Sequence, residues 1–137
     1  MPESTYPRTA LQHGGVPVPP LALGSWNTWD RMSKDEAVAL IRRATELDAG
    51  FFDIAYYNMG PHAENSRTDI LFGEALRASG VDRDSITLCG KLWLWDWPNQ
   101  GFRPQLVESL GRAGLERFDT VVVGDYGEAP DMPRLVA

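Results

Sequence analysis

The sequence predicts an α/β fold with a parallel sheet, on the basis of three observations. Short apolar runs of strand length occur at residues 21–26, 51–55, 86–92 and 118–123. They are apolar throughout, as expected for strands that are covered on both faces. Helical segments separate them, and this alternation is typical of βαβ units. The strand starts recur every 30 to 35 residues, so four βα units fit in the chain.

The helical segments have recognisable start and stop signals. Ser33 and Glu36 form an S-x-x-E capping box at the start of the first helix. A second helix is predicted over residues 68–78, and a third begins near Pro104, a residue that suits the first turn of a helix. We expect Leu106, Val107 and Leu110 to face the sheet from this third helix. Each predicted helix is followed by a glycine: Gly50, Gly80 and Gly114.

No linker divides the chain, so we expect a single domain over residues 1–137. Residues 1–20 read as an N-terminal arm or hairpin with Gly14 and Gly15 at its turn. An open four-stranded parallel sheet exposes two edges and one apolar face, which favours aggregation unless a partner covers them. The simplest solution is a homodimer in which a second copy of the chain covers them. A separately encoded second half of the barrel, or a rearrangement into a doubly wound sheet, would also serve.

Composition excludes several classes of function. The chain has 137 residues, 43% of them hydrophobic, and a net charge of -6, which argues against nucleic-acid or anionic-membrane binding. It shows no export signal and no apolar run long enough to span a bilayer, so a cytoplasmic location is expected. Cys89 is the sole cysteine and His13 and His62 are far apart in sequence, so no metal site is expected.

Five sequence blocks resemble the aldo-keto reductases and occur in that family's order. They lie at residues 21–26 (LALGSW), 50–55 (GFFDIA), 67–76 (RTDILFGEAL), 86–91 (ITLCGK) and 106–119 (LVESLGRAGLERFD). The resemblance implies a (β/α)8 TIM barrel, which needs roughly 250 residues and places its chemistry at the carboxyl ends of the strands. We therefore expect a half TIM barrel of four parallel strands that dimerisation completes.

The resemblance also implies a catalytic set. The family's Asp corresponds to Asp53 and its Lys to Lys91, whereas the usual tyrosine position is occupied by Asn58. A one-residue shift gives the tyrosine role to Tyr57. The position of the family histidine falls on Gly124, which is followed by two further candidates. The second-rank candidates are therefore Asn58, Tyr56, Asp125 and Tyr126.

Lys91 is informative by itself, because the chain has 11 arginines and only two lysines. A charge at the end of an apolar strand is costly without a partner, and Asp53 is the expected one. A cation beside a tyrosine strengthens its capacity for proton transfer to a carbonyl compound. The alternative is an ion pair without a catalytic role. Indole rings are also expected to wall a substrate pocket at this end of the sheet or, as the alternative, to cover the sheet or a dimer contact: Trp26, Trp29, Trp93 and Trp95.

Three hypotheses about function remain open. The first is a reaction that needs no cofactor. It is suggested because the sequence has no G-x-G-x-x-G fingerprint and the aldo-keto reductases bind most of their NADPH through the second half of the barrel. It is a cyclisation, dehydration or isomerisation of a carbonyl compound, such as a secondary metabolite. The second is NADPH-dependent carbonyl reduction by a dimer. The third is a non-catalytic binding module with a vestigial pocket.

Overall fold

The computed structural model describes residues 7–10, 15–58, 60, 63–94 and 101–124. Strands and helices alternate after a short N-terminal hairpin. In chain order the elements are β1 (Thr9–Ala10), β2 (Pro17–Val18), α1 (Lys34–Glu46), β3 (Phe51–Ile54), α2 (Thr68–Ser79), β4 (Thr87–Trp93), α3 (Phe102–Ala113) and β5 (Thr120–Gly124). Single turns of 3-10 helix lie at Trp29–Arg31 and Arg83–Ser85.

The main sheet is parallel, with the order β3-β4-β5, so the predicted α/β alternation is confirmed. The strand expected at residues 21–26 is wrong in extent, because this segment makes one parallel bridge, from Leu23 to Phe52. Prolines precede it and offer no N–H for a ladder, and Asn27 turns the chain with a positive φ of 54°. A bridged segment therefore flanks β3 where a full strand was expected.

The hydrophobic core lies between the sheet and the helices. Phe52, Ile54 and Leu88 point from the strands towards the helices, and each is at most 1% exposed. Trp29 and Phe72 fill the space above them. Because side chains alternate along a strand, the residues between these positions point to the opposite face of the sheet.

The predicted helix signals are largely confirmed. The Ser33 Oγ accepts a hydrogen bond from the Glu36 N–H, and Glu36 accepts one from the Ser33 N–H in return. Gly80 and Gly114 follow α2 and α3 in the left-handed conformation. The first helix ends earlier than expected, because Asp48 rather than Gly50 takes the positive φ, at 55°.

The buried face of α3 differs from the predicted apolar stripe. Its buried residues are Gln105, Ser109 and Ala113, whereas Val107 is 61% exposed. A Cβ added to Gly73 of α2 would lie 1.8 Å from the Ala113 carbonyl oxygen, so α2 and α3 approach each other closely. Small side chains permit this approach, which turns the larger apolar residues away from the contact.

Candidate functional site

The face of the sheet opposite the helices carries the polar side chains that the sequence singled out, and we call it the inner face. Asp53 of β3 pairs in register with Cys89 of β4, and Lys91 pairs with Val122 of β5. Asp53, Cys89, Lys91 and Trp93 share this face because strand side chains alternate. The two charges therefore lie on neighbouring strands, close to their carboxyl ends.

Asp53 lies in an environment that does not favour its charge. Burial raises the pKa of the Asp53 carboxyl, and the positive charge of Lys91 lowers it by a smaller amount. Its Oδ1 is buried and has no hydrogen-bond partner among the described residues. The ion pairs of the described residues do not include one between Asp53 and Lys91. The two groups thus influence each other without a direct contact.

Aromatic rings surround the Lys91 ammonium. Its Nζ lies 5.8 Å from the ring centroid of Tyr57 and 5.3 Å from that of Trp93. The centroids of Tyr57 and Trp93 are 6.1 Å apart, with the rings inclined at 60°. These distances fall in the range of cation–π attraction, which holds a cation near a ring without removing its charge. The structure therefore brings Tyr57 and Lys91 together.

The neighbouring tyrosine points to the helix side. The Tyr56 hydroxyl donates to Glu108 Oε1 at 2.9 Å, and the guanidinium carbon of Arg112 lies 4.2 Å from the ring centroid. Burial and the bond to Glu108 raise the pKa of Tyr56, which is 6% exposed. Asn58, at the usual family spacing, is exposed. Of these three residues, Tyr57 is the one in contact with Lys91.

The expected pocket of indole rings needs one correction. Trp29 is fully buried on the helix side, where it packs edge-to-face against Phe52 and Phe72, so it cannot line a pocket on the inner face. The 3-10 turn that contains it folds back over α2 because the Trp29 N–H donates to the buried Thr68 hydroxyl. The Trp29 ring is therefore part of the hydrophobic core.

The other tryptophans differ in position. Trp26 is 62% exposed, and its Nε1 donates to Glu64 Oε2 at 3.1 Å. Trp93 is 4% exposed on the inner face. Three further candidates lie outside the described residues: Trp95, Asp125 and Tyr126.

Buried polar groups fix the loops at this end of the sheet. The Ser25 Oγ accepts a hydrogen bond from the Ala55 N–H, and the Thr68 hydroxyl donates to the Ser25 carbonyl oxygen at 2.7 Å. Gln105 makes two hydrogen bonds to the backbone of Trp93. The sequence reasoning missed Gln105, and its one signal was the four-residue spacing from Ser109, which places two polar residues on one helix face.

Cys89 is a buried free thiol on the inner face, and burial raises its pKa. Within the described ranges, no cluster of three or more His, Cys, Asp or Glu side chains has the arrangement of a metal site. No described helix combines the length and apolar character that crossing a bilayer requires. Among the described residues, the inner face carries a carboxyl, a thiol, an amine and a phenol.

Known proteins with similar sequence or structure give a consistent result. The model of the aldo/keto reductase family matches residues 20–132. The D-threo-aldose 1-dehydrogenase of Pseudomonas sp is 28% identical over 151 residues, covering 89% of this chain and 44% of that protein. An aldo-keto reductase from Klebsiella pneumoniae in complex with NADPH superposes with a TM-score of 0.65 at 21% identity, over 90% of this chain and 41% of its own.

A thermostable aldo-keto reductase in complex with the inhibitor epalrestat superposes with a TM-score of 0.67 at 21% identity, over 90% of this chain and 44% of its own. At these identities, the two structures show a shared fold. The chain spans less than half the length of all three relatives.

The comparison corrects the expectation that no cofactor is needed. That expectation relied on the lack of a dinucleotide fingerprint in the sequence and on the family's binding of most of its NADPH through the second half of the barrel, yet the Klebsiella pneumoniae relative was solved with NADPH bound. A glycine-rich fingerprint is one way to bind a dinucleotide and its lack does not exclude others. The match over residues 20–132, together with the order of strands and helices, shows that the chain belongs to the aldo/keto reductase family.

Proposed function

We propose that the chain takes part in the NADP(H)-linked reduction of a small carbonyl compound, or in the reverse oxidation of an alcohol. The observation that supports this most is the Lys91 ammonium, 5.8 Å from the ring centroid of Tyr57 on the inner face. In this proposal Asp53, Tyr57 and Lys91 form the acid–base group. Tyr57 replaces a tyrosine that the family spacing would put at Asn58.

The three residues divide the work of proton transfer. The Tyr57 hydroxyl donates its proton to the carbonyl oxygen of the substrate. Lys91 stabilises the negative charge that remains on the phenol oxygen, because an adjacent cation favours the ionised form of an acid. Asp53 supplies the opposite charge that keeps the ammonium of Lys91 favourable in a partly buried position. The exposed ring of Trp26 offers apolar surface to the substrate, and the ring of Trp93, which is 4% exposed, packs beside Tyr57 and Lys91.

The described residues fit the reacting end of NADP(H), which supplies hydride to the carbonyl carbon when it is bound. The unpartnered Asp53 Oδ1, the Lys91 ammonium and the ring of Tyr57 are polar and aromatic groups that face one side of the sheet. We do not propose cyclisation, dehydration or isomerisation without a cofactor, because that hypothesis depended on the expectation that the chain needs no cofactor.

We further propose that a second copy of the chain completes the barrel, as the half TIM barrel hypothesis requires. Val121, Val122 and Val123 of β5 are 39% to 48% exposed, so the edge strand lacks cover on both faces. At the opposite edge, Leu21 is 68% exposed beside the Leu23 bridge. In a parallel arrangement, β5 of one copy would pair with residues 21–23 of the other and bury both apolar edges.

Cofactor binding and turnover with the full chain test the proposed reaction. Titration with NADPH, followed by calorimetry, should show binding, and a panel of aldehydes and ketones should be reduced with loss of NADPH absorbance. Tyr57→Phe should lower kcat/KM on the order of 10²-fold or more, because it removes the proton donor. Tyr56→Phe is the matched control. The Tyr56 hydroxyl donates to Glu108, so its removal should leave turnover nearly unchanged.

Two outcomes would contradict the proposal. NADPH that does not bind at millimolar concentration would favour a non-catalytic binding module. Equal loss of turnover in Tyr56→Phe and Tyr57→Phe would remove the assignment of Tyr57 as the proton donor.

The mass in solution, from light scattering after gel filtration, tests the dimer. The mass of one chain is 15.2 kDa, and the wild-type protein should have twice this mass in solution. Val121→Lys should shift it towards the monomer, because a charge on an edge strand opposes pairing. Val107→Lys changes a valine of α3 that is 61% exposed, compared with 46% for Val121, and should leave the dimer intact. A wild-type monomer at all concentrations would refute this arrangement.

A further inference from the structure

We infer that Gln105 of α3 is a positioning residue for Lys91 and Tyr57, acting through Trp93; the inference rests on the proposed function of that pair. Gln105 is 3% exposed, although glutamine is mostly found at protein surfaces. Its Oε1 accepts a hydrogen bond from the Trp93 N–H at 2.9 Å, and its Nε2 donates to the Trp93 carbonyl oxygen at 2.9 Å. One side-chain amide thus satisfies both backbone groups of one strand residue.

The position of this clamp explains why it is needed. The pairing of β3 with β4 extends only to Ile54 opposite Gly90, so the last three residues of β4 project beyond β3. On the other side, β5 pairs with β4 as far as Trp93 opposite Gly124. Buried backbone groups without partners are costly. The amide of Gln105 provides Trp93 with the two hydrogen bonds that a neighbouring strand would otherwise make.

Trp93 then transmits this constraint to both candidate catalytic residues. The Lys91 Nζ lies 5.3 Å from its ring centroid, and the Tyr57 ring centroid lies 6.1 Å from it. Its indole Nε1 donates to the Tyr56 carbonyl oxygen at 3.1 Å, one residue before Tyr57. A rotation of the Trp93 backbone would therefore displace the ammonium and the chain that carries the phenol. Gln105 thus fixes that backbone from α3.

Substitutions at Gln105 separate the two hydrogen bonds from the volume of the side chain. Gln105→Met keeps a similar shape and removes both bonds. Gln105→Glu can accept and donate only while the carboxyl is protonated, so its clamp should form at low pH and weaken as the pH rises. Ser79→Ala is the matched control, because Ser79 is also buried and its hydroxyl makes two hydrogen bonds to the backbone, to Leu76 and Val81, at the other end of the sheet.

The position of Lys91 can be measured without turnover, because the chain has only two lysines. In protein labelled with carbon-13 lysine, the Hε resonances of Lys91 should be shifted upfield from those of Lys34 by the ring currents of Tyr57 and Trp93. Gln105→Met should lose most of that displacement. Its kcat should fall on the order of 10²-fold with a smaller change in KM, because a small misplacement of reacting groups slows the chemical step. Ser79→Ala should retain both the displacement and the kcat.

The Gln105→Glu variant keeps the inference testable if Gln105→Met fails to fold. Its Lys91 resonances should be displaced at about pH 4 and move towards the Lys34 position as the pH rises to about 9, a range that allows for the raised pKa of a buried carboxyl, whereas the wild type stays displaced. Unchanged Lys91 resonances in Gln105→Met, or in Gln105→Glu across this range, would overturn the positioning role. Loss of NADPH turnover in the wild type would refute the proposed function alone, because the resonance positions do not depend on turnover.

Discussion

The two faces of the main sheet are made from the same strands and differ in almost every physical property. The helix side of β3 and β4 carries Phe52, Ile54 and Leu88, which are at most 1% exposed and pack against Trp29 and Phe72. The inner face of the same strands carries a carboxyl, a thiol and an amine. Adjacent residues therefore serve either the stability of the fold or its chemistry.

This separation follows from the alternation of side chains along a strand. A substitution on the helix side removes buried apolar contacts and should affect folding, whereas one on the inner face changes charge in a partly open environment. The Asp53 Oδ1 without a partner illustrates the second case, because such a group is retained at a cost to stability. The comparison predicts opposite effects of mutations on the two faces.

The largest effect is expected on the helix side, from Phe72→Ala. Phe72 is fully buried, with ring centroids of Trp29 and Phe52 at 5.0 and 5.3 Å. Removing it should lower the free energy of unfolding by about 3–5 kcal/mol, measured by urea denaturation. Val107→Ala, at an exposed site, is the control and should have little effect. A loss below about 1 kcal/mol for Phe72→Ala would show that the helix side is not closely packed.

On the inner face, Lys91→Met should have its effect on activity. We expect kcat/KM for carbonyl reduction to fall on the order of 10²-fold, because the stabilising charge beside Tyr57 is lost. The free energy of unfolding should change far less than in Phe72→Ala. Lys34→Met, at the exposed start of α1, removes the other lysine and should leave turnover intact. Equal turnover in both lysine variants would remove Lys91 from the acid–base group.

The pattern of apolar runs predicted most of the fold because it depends on local periodicity. The βα alternation, the Ser33 cap and the glycines after α2 and α3 follow from short-range chemistry. The segment around Leu23 was predicted less well, since an apolar run does not report whether its backbone finds a ladder partner. Which face a residue takes is also a tertiary property, and for that reason Trp29 was assigned to the pocket although it lies in the core.

The candidate site was predictable where a strand fixes the direction of the side chain. Asp53 and Lys91 share a face by parity once the register of β3 and β4 is known. Tyr56 and Tyr57 follow the end of β3, where parity no longer applies, so only the contacts with Glu108 and Lys91 distinguish them. The role of Gln105 could not be predicted, because its hydrogen bonds to Trp93 join a helix to a strand and spacing along the chain does not reveal such bonds.

The smallest effect should come from Asp53→Asn, and it has a defined dependence on pH. Burial raises the pKa of Asp53 in the folded chain above its ordinary value, with a smaller opposing effect of Lys91. Between the ordinary and the raised pKa, the folded state binds more protons than the unfolded state. The stability of the wild type therefore decreases as the pH rises through this window, relative to a variant that cannot ionise there.

Asp53→Asn should accordingly be more stable than the wild type at pH 7. The difference should shrink as the pH falls from the raised to the ordinary pKa, and it should be smallest below about pH 4, where the wild-type carboxyl is protonated in both states. Parallel urea denaturation of both proteins at several pH values measures this difference while the other carboxyls cancel. Turnover should fall in the same variant, since Lys91 loses its opposite charge. A variant that is less stable than the wild type at pH 7 would mean that the attraction of Lys91 outweighs burial, and that Asp53 contributes to folding as well as to chemistry.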